Sequence, residues 1–332
     1  MIRPPTVKTV AEEAGVSTAT VSNVLAGRTG RVSEATSVRV RAVAERLGYH
    51  PSPTAQAVRT GRTRLVLLSM TMLIDPWVQD VADAVSRRIR PDGLHALVLP
   101  DGDWSRVLDQ QAADLAFIDH VRPAEVPRLD ALARRGVPMV VFHEDLEARG
   151  YDVISSPAVA GCVLAMRHLL ASHTRIACLT AGKGGDRSPR YRAYEETMRE
   201  AGLSIPDGYV AEFALGPGSA TTAAYALLTQ PEPPTAIFAT TDFAAMAAIR
   251  AAQRLHLSVP EDVAVIGAGN TLQAAEMAPS VSTVGPADLF TGLSDLIRAR
   301  ALGEDTSPHR VHHHPWQLFA RESTVGTGNS PT

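Results

Sequence analysis

Two short helical patterns within residues 6–25 carry the most recognisable chemistry of this chain. They read TVKTVAEEAGVSTATVSNVL and meet at a glycine, as the two helices of a helix-turn-helix do. In that motif the N-terminal part of the second helix enters the major groove of DNA. The spacing therefore places Thr18, Ala19 and Thr20 against base edges or phosphates, with Asn23 one turn further along the same side.

The side chains of this second helix suit both phosphates and bases. Threonine hydroxyls and the free amides of a helix N-terminus are donors for phosphate oxygens. Asn23 offers a paired donor and acceptor, the combination that reads adenine in the major groove. The alternative is that Asn23 only faces solvent, because many recognition-helix residues touch no base.

In the rest of the chain, Arg190 is the residue best suited to hold a small polar ligand. Its planar guanidinium can bind hydroxyls, a carboxylate or a phosphate at the mouth of a helix. The alternative is an ordinary surface charge beside Arg187 and Arg192. Trp77 could stack on a ligand ring, or equally pack in a core or an interface.

Other polar candidates follow predicted strands or lie in strand-to-helix loops. Open parallel sheets bind ligands at the carboxyl ends of their strands, so such side chains indicate a shared cleft. These candidates are Asp119, His143, Asp186 and Thr241.

A histidine tract at His309 and residues 312–314 raises the question of a metal site. On the predicted terminal strand His312 and His314 share one face while His313 points away, so a three-histidine site would need a bend there. The tract contains no acidic or cysteine partner. We expect a solvated strand or an interface, with no metal ion and no cofactor.

Charge is divided unevenly along the 332 residues. Residues 1–64 hold ten Arg or Lys and four Asp or Glu, whereas the remainder holds 22 basic and 31 acidic residues. A basic head on an acidic body is typical of a protein that binds a polyanion at one end only. The two cysteines lie in apolar surroundings, and no signal peptide or membrane-length apolar run is recognisable, so a cytoplasmic protein without membrane association is predicted.

Beyond residue 64, short apolar runs alternate with helical stretches, the pattern of parallel α/β sheets. The runs begin at residues 65, 95, 114, 138, 175, 235 and 263. About 260 such residues exceed a typical doubly wound unit, so two lobes with a ligand cleft between them are expected. The predicted order is an all-α helix-turn-helix head at 1–50, a hinge linker at 51–64, a two-lobed ligand-binding and dimerisation domain at 65–325 and a disordered tail at 326–332.

Taken together, these segments resemble the LacI family of bacterial transcriptional regulators from residue 6 to residue 325. The blocks that carry the resemblance are, in chain order, AEEAGVSTATVSNVL, VSEAT, ERLGYHP, VRTGRT, DPW, RYRAY, PTAIFATTDFAA, VPEDVAVIGAGN and ARESTV. The resemblance implies a periplasmic-binding-protein-like body with parallel sheets behind the helix-turn-helix head.

For the head, the resemblance adds an apolar DNA contact at Val7 and backbone anchors at Ser17, Thr20 and Ser22. Arg28 and Arg31, on a loop one residue longer than in the family's founding member, are expected phosphate contacts or plain solubilising charge. The family usually has Arg where this chain has Asn23, which puts the preferred base pair at that position in doubt.

For the linker, the resemblance implies a helix that forms on DNA and wedges an apolar side chain into a minor-groove step. The matching positions here are Ala55, Gln56 and Val58. Valine is shorter and stiffer than the family's leucine, so we expect a weaker wedge.

In the cleft, the matched blocks add Asp75, Asp242 and Asn270 to the effector candidates. Three family positions have changed: Thr241 stands for Asn, Gly269 for Asp and His143 for Asp. Because fewer acceptors remain for sugar hydroxyls, an anionic metabolite has to be considered as the effector as well as a sugar.

The predicted function is therefore a homodimeric transcription factor, most often a repressor, that binds a pseudopalindromic operator under the control of a small molecule. The alternative is a ligand-independent or protein-partner-controlled DNA-binding regulator with a degenerate cleft. An enzyme is not expected, because the chain contains no dinucleotide-binding glycine pattern after a strand, no P-loop and no Gly-x-Ser-x-Gly nucleophile motif.

Overall fold

The computed structural model describes residues 5–27, 30, 32–50, 57, 60–100, 103–110, 113–182, 188–214 and 218–326. The chain divides into two compact units, Met1–Arg64, which we call the head, and Leu65–Thr332, which we call the body. Within the described residues, no helix has the length and apolar character that crossing a membrane requires.

Over the described residues between 5 and 50, the head contains three short helices around one small core. They are α1 (Val7–Ala14), α2 (Thr18–Leu25) and α3 (Glu34–Arg46). Each helix begins after a hydroxyl residue, Thr6, Ser17 or Ser33, whose side chain accepts a backbone N–H of the first turn. Gly15, at φ 63°, ends α1 in the left-handed conformation that glycine adopts without strain, and so sets the turn between the helices.

The head core is aliphatic. Its buried members are Val10, Ala11, Ala14, Val21, Val24, Val40, Val43 and Ala44. These residues recur at helical spacing, so the three helices bury one face each and leave the other face in solvent.

The described residues of the body form two six-stranded sheets. The strands are β1 (Leu65–Met70), β2 (His95–Pro100), β3 (Leu115–Asp119), β4 (Met139–Phe142), β5 (Asp152–Ser155), β6 (Ile176–Ala181), β7 (Val210–Phe213), β8 (Ala236–Ala239), β9 (Ala264–Ala268), β10 (Ser282–Pro286), β11 (Val311–His313) and β12 (Trp316–Phe319). The first sheet has the order β11-β5-β4-β3-β1-β2 and the second β12-β10-β9-β8-β6-β7. All pairs are parallel except β10 with β12.

Helices cover the faces of both sheets. They are α4 (Pro76–Ile89), α5 (Trp104–Gln110), α6 (Val126–Arg134), α7 (Ala158–Leu170), α8 (Pro189–Glu200), α9 (Ser219–Leu228), α10 (Asp242–Arg254), α11 (Leu272–Glu276), α12 (Leu289–Leu302) and α13 (Glu322–Val325), with 3-10 turns at Arg90–Asp92 and Pro123–Glu125. Four of the five hydrophobic clusters lie in the body, one on each face of each sheet. Two layers of helix around each sheet give two lobes, which we call the N-lobe (the first sheet) and the C-lobe (the second).

In the part of the body that the structure describes, the chain passes between the lobes three times. The connections are residues 156–157 from β5 to α7, residues 287–288 from β10 to α12, and residues 314–315 from β11 to β12. Helix α12 packs on the N-lobe core, so each lobe is completed by residues that are distant in sequence. This arrangement lets the lobes move about three short connections while each keeps its own core.

The predicted fold is confirmed, including a strand at each of the seven predicted apolar runs. Strands β5, β7, β10 and β12 carried no prediction because they are short or rich in polar residues. Helix α3 begins after Ser33, and Val38 within it is 55% exposed and contributes no core packing.

Candidate DNA-reading helix and inter-lobe cleft

The start of α2 presents polar side chains in a fixed arrangement. Ser17 Oγ accepts the backbone N–H of Thr20 at 3.1 Å, and the two hydroxyls lie 2.9 Å apart. Thr18, Ala19 and Asn23 are exposed, so they share the surface that an entering helix would present to DNA. Ser17 and Thr20 thus hold the first turn in shape while keeping hydroxyls at its rim.

Two other predicted DNA contacts are partly engaged in the head itself. Val7 is half-buried and packs against the head core. Ser22 is half-buried on α2. Each keeps part of its surface available beside the exposed positions.

Several predicted site residues lie outside the part of the chain that the structure describes. They are Arg28, Arg31, Ala55, Gln56 and Val58 for DNA, and Asp186 for the effector. Their roles remain predictions from the sequence.

Arg190 lies in the first turn of α8, at the carboxyl edge of the C-lobe sheet. Its Nη1 donates to the carbonyl oxygen of Thr240 at 2.8 Å, and its guanidinium lies 5.0 Å from the centroid of the Trp316 ring. Two independent contacts therefore fix the plane of this cation. A guanidinium has five N–H donors, so the others can serve a ligand.

Asp75 and Trp77 occupy the matching edge of the N-lobe. Asp75 is buried and accepts the Trp77 backbone N–H at 3.0 Å, which makes it the N-cap of α4. Burial raises the pKa of Asp75, with opposing contributions from that hydrogen bond and from Arg190 and a further raising contribution from Asp242. Trp77 meets Phe142 edge-on at 5.2 Å, so the indole is held by an aromatic neighbour at the end of β4.

Asp119 and His143 end neighbouring strands β3 and β4. Burial raises the pKa of Asp119 to about 6, although the charges of His120 and Arg190 act in the opposite direction. The His143 Nδ1 accepts the backbone N–H of Asp145 at 3.0 Å, which fixes the imidazole orientation. The charge of Arg190 lowers the pKa of both Asp75 and Asp119, so the C-lobe cation interacts electrostatically with two carboxylates of the N-lobe edge.

Thr241 and Asp242 form the N-terminus of α10. Thr241 Oγ1 accepts the Ala244 backbone N–H at 3.1 Å. Asp242 is 1% exposed; its Oδ2 accepts the N–H and the hydroxyl of Thr271 at 2.8 and 3.0 Å, and its Oδ1 accepts the Thr283 hydroxyl at 2.5 Å. These contacts make Asp242 a structural support beneath the cleft edge.

Asn270 lies beside this support, with a positive φ of 53°. Its Oδ1 accepts Arg321 Nη2 at 2.7 Å and its Nδ2 donates to the Pro286 carbonyl at 3.2 Å. The side chain therefore bridges β10 and the segment that follows β12. Burial lowers the pKa of Arg321, while the nearby charge of Asp242 raises it.

The histidine tract has an acidic partner that its own sequence did not reveal. Asp152, on β5, is fully buried and accepts His309 Nδ1 at 2.9 Å and His312 Nε2 at 3.0 Å. Arg300 completes the cluster through Nε at 2.8 Å. Burial alone would raise the pKa of Asp152, but these hydrogen bonds together lower it to about 2.

This cluster corrects the interpretation of the tract as a solvated strand. His309 and His312 fasten β11 to the edge of the N-lobe sheet, while His313 faces solvent. Among the residues that the structure describes, no group of three or more His, Cys, Asp or Glu side chains has an arrangement that could hold a metal ion.

Two candidate functional residues, Trp316 and Asp80, were not predicted from the sequence. Trp316 contacts Arg190, and Asp80 contacts the C-lobe from the N-lobe. Neither lies in a motif, and only the fold brings them to the cleft and its rim.

Comparison with protein families matches two parts of the chain. Residues 6–52 match the model for bacterial regulatory proteins of the lacI family, and residues 166–324 match the periplasmic binding protein-like domain. The two matches coincide with the helix-turn-helix head and with most of the C-lobe.

Solved structures share the whole architecture. The CelR–cellobiose complex superposes with a TM-score of 0.60 at 25% identity, covering 96% of this chain and 99% of that one. The lac repressor dimer bound to operator and the anti-inducer ONPF gives a TM-score of 0.73 at 22% identity over 97% and 100%. At 22% identity this second likeness shows the fold alone.

Related sequences are transcriptional regulators over nearly their full length. The PurR repressor of Yersinia enterocolitica is 32% identical over 339 residues, 96% of this chain and 97% of the relative. The regulator DegA of Bacillus subtilis is 30% identical over 290 residues, 84% and 86% of the two chains. With its helix-turn-helix head and two-lobed body, the chain belongs to the LacI family of DNA-binding transcriptional regulators and is not an enzyme.

Proposed function

We propose that this regulator represses transcription as a homodimer on a pseudopalindromic operator, and that a small molecule bound between the lobes controls its affinity for DNA. The observation that carries the proposal is the position of Arg190, which Thr240 and Trp316 fix at the carboxyl edge of the C-lobe sheet and whose charge acts on Asp75 and Asp119 of the N-lobe. A fixed cation on one lobe can bind a polar ligand together with side chains of the other lobe only when the lobes stand at the right separation. Ligand occupancy is thereby linked to lobe geometry.

We assign the dimer interface to apolar surface at one edge of each sheet. Strand β2 forms the open edge of the N-lobe sheet, where Leu97 and Val98 are 45% and 36% exposed. Tyr225 on α9, which packs on the corresponding edge strand β7, is 47% exposed. A second copy related by a two-fold axis would cover both patches and would pair two heads with two half-sites.

DNA recognition is assigned to the exposed face of α2. Thr18, Ala19 and Asn23 supply contacts in the major groove, and Ser17 and Thr20 supply hydroxyls for the backbone. The test is selection of bound duplexes from random DNA by the purified protein. An inverted repeat with one half-site for each head supports the dimeric assignment, whereas a single asymmetric site contradicts it.

For the effector, the donor fork of Arg190 on the C-lobe and the carboxylates of Asp75 and Asp119 on the N-lobe edge suit a small molecule with both donors and acceptors, a sugar or an anionic metabolite. The test is thermal unfolding against sugars, sugar phosphates, sugar acids and nucleobases, with cellobiose included because CelR is similar in sequence and fold. A hundredfold excess over Kd adds about 2.7 kcal/mol to the unfolding free energy. The proposal requires that the stabilising compound lose its effect on Arg190→Gln.

The second candidate function is a regulator controlled by a protein partner or by no ligand. The altered positions Thr241 and His143 favour it, because Thr241 caps α10 and the His143 Nδ1 is occupied by a backbone amide. Operator binding that no compound of the panel changes would favour this candidate.

A further inference from the structure

Trp316 lies at the start of β12, directly after the third connection between the lobes. Its indole packs on Gly161 of α7 so closely that a Cβ at position 161 would lie 2.5 Å from Cε3 of the ring. Carbon atoms in proteins do not approach to that distance. The ring therefore occupies space that exists only because residue 161 is glycine, and it has little freedom to shift alone.

The indole nitrogen ties two inter-lobe connections together. Trp316 Nε1 donates to Ser156 Oγ at 2.8 Å, and Ser156 Oγ donates to the carbonyl oxygen of His314 at 3.0 Å. An indole N–H can only donate, so the serine hydroxyl must direct its own proton to His314. Ser156, 2% exposed, belongs to the first connection and His314 to the third.

The face of the same ring carries the ligand-binding cation. The Arg190 guanidinium lies over Trp316 at 5.0 Å from the ring centroid, while its Nη1 is held by the Thr240 carbonyl. Both contacts must hold for the guanidinium to keep its plane. A displacement of the indole would therefore tilt the group that meets the effector.

We propose that Trp316 is a positioning residue that couples Arg190 to the inter-lobe connections, so that the state of the effector site and the geometry of the connections change together. This inference rests on the proposed function for its biological meaning. The chain of contacts runs from Arg190 through the indole to Ser156 and His314. Rotation of the lobes about the connections changes the distance and angle between Ser156 and His314. Because the indole is hydrogen-bonded to Ser156, it shifts with them, and the guanidinium of Arg190 over its face changes orientation.

The coupling can be tested without any ligand, by amide hydrogen exchange of the full-length protein. The peptides that report are those covering residues 153–161 and 312–318. Replacement of Arg190 by Gln removes the cation from the ring and is expected to speed their exchange roughly fivefold, the effect of losing one cation–π contact. The matched control is Arg192→Gln, an exposed position on the same helix, which should leave both peptides unchanged.

The decisive step is a double-mutant cycle. Ser156→Ala breaks the link between the indole and the connections, so Arg190→Gln added to Ser156→Ala should change exchange by less than about twofold. Trp316→Phe keeps a ring over Gly161 but has no N–H donor, so it should reduce the effect of Arg190→Gln in the same way. This second background provides the test if Ser156→Ala does not fold. Equal effects of Arg190→Gln and Arg192→Gln, or an undiminished Arg190→Gln effect in both backgrounds, would overturn the proposal.

These outcomes are separate from the fate of the proposed function. Exchange at the connections is measured on the free protein, so a regulator that binds no compound of the effector panel can still show the coupling. Conversely, the protein could bind an effector while the double-mutant cycle shows no coupling. That result would support the effector site and exclude Trp316 as its positioning residue.

Discussion

The Asp80 carboxylate on the N-lobe accepts the backbone N–H of Leu272 on the C-lobe at 3.0 Å. Asp80 lies on α4 and Leu272 is the first residue of α11, so the carboxylate caps a short helix that belongs to the other lobe. Gln79 Oε1 accepts Gln273 Nε2 at 2.9 Å beside it. The lobes are thus joined by direct contacts away from the three connections, and lobe opening has to break them.

Removal of this inter-lobe cap should loosen α11. For Asp80→Ala we expect amide exchange in α11 to rise roughly tenfold, the effect of losing a hydrogen bond to a charged group. The matched control is Asp83→Ala on the same helix, because Asp83 pairs with Arg87 in solvent and should leave α11 unchanged. Unaltered exchange of α11 in the Asp80 variant would show that this contact does not hold the lobes.

The Asp152 cluster should contribute more to stability than the surface ion pairs. Asp152→Asn removes the closer charged partner of Arg300, which is 7% exposed and keeps only Asp305 Oδ1 at 3.5 Å, and should lower the free energy of unfolding by about 3 kcal/mol at pH 7. Urea unfolding measures this loss of stability. The matched control is the exposed Asp83→Asn, whose free energy of unfolding should stay within about 0.5 kcal/mol of the parent.

The same variant has a defined pH dependence. The folded pKa of Asp152, about 2, lies below its ordinary value of 3.8, so the carboxylate stabilises the fold above pH 3.8 and loses that contribution as the pH falls toward 2. The difference in the free energy of unfolding between the parent and Asp152→Asn should therefore become smaller as the pH falls from 5 to 3. A difference that grows toward low pH contradicts the assignment.

Asp119 should behave in the opposite way. Its folded pKa of about 6 lies above 3.8, so its ionisation costs stability as the pH rises through 6, and below pH 3.8 the cost is absent. Asp119→Asn should accordingly stabilise the protein by about 2 kcal/mol at pH 7.5 and by little at pH 4. Thermal unfolding of parent and variant at the two pH values measures this difference in stability, with the exposed Asp207→Asn as control. Equal stabilisation at both pH values would count against a buried, ionisable Asp119.

Asn23 should set the base preference at one operator position. Asn23→Ala should remove the preference for adenine there, at a cost of about 2 kcal/mol for the preferred sequence. Selection from random DNA with parent and variant shows this directly. Ser22→Ala, which removes an expected backbone anchor, should instead weaken all sequences alike. An unchanged adenine preference in the Asn23 variant would place this side chain in solvent.

The head could be predicted almost completely from sequence because its signals are local. The hydroxyl N-caps Ser17 and Ser33 and the left-handed Gly15 each act within four residues of their partners. The apolar runs that became strands are likewise continuous. A strand such as β5, with the charged Asp152 in four residues, has no such local signal.

The cleft was predicted only in outline because its contacts are distant in sequence. Asp152 meets His312 160 residues away, and Trp316 meets Ser156 at the same separation. Asp242 was recognisable as a motif residue, but its use by Thr271 and Thr283 depends on tertiary packing that brings the start of α10 beside residues 29 and 41 positions away. Motif position indicates where a side chain lies, and tertiary packing determines whether its atoms are available.

The most direct test of the account is fluorescence anisotropy of a selected operator duplex, titrated with protein in the presence and absence of the compound that stabilises it thermally. We predict that the compound changes the operator Kd at least fivefold, and that Arg190→Gln, which still binds the operator, abolishes this change. An operator Kd that the bound compound leaves unaltered would contradict control of DNA binding through the cleft. So would a full response that persists in Arg190→Gln.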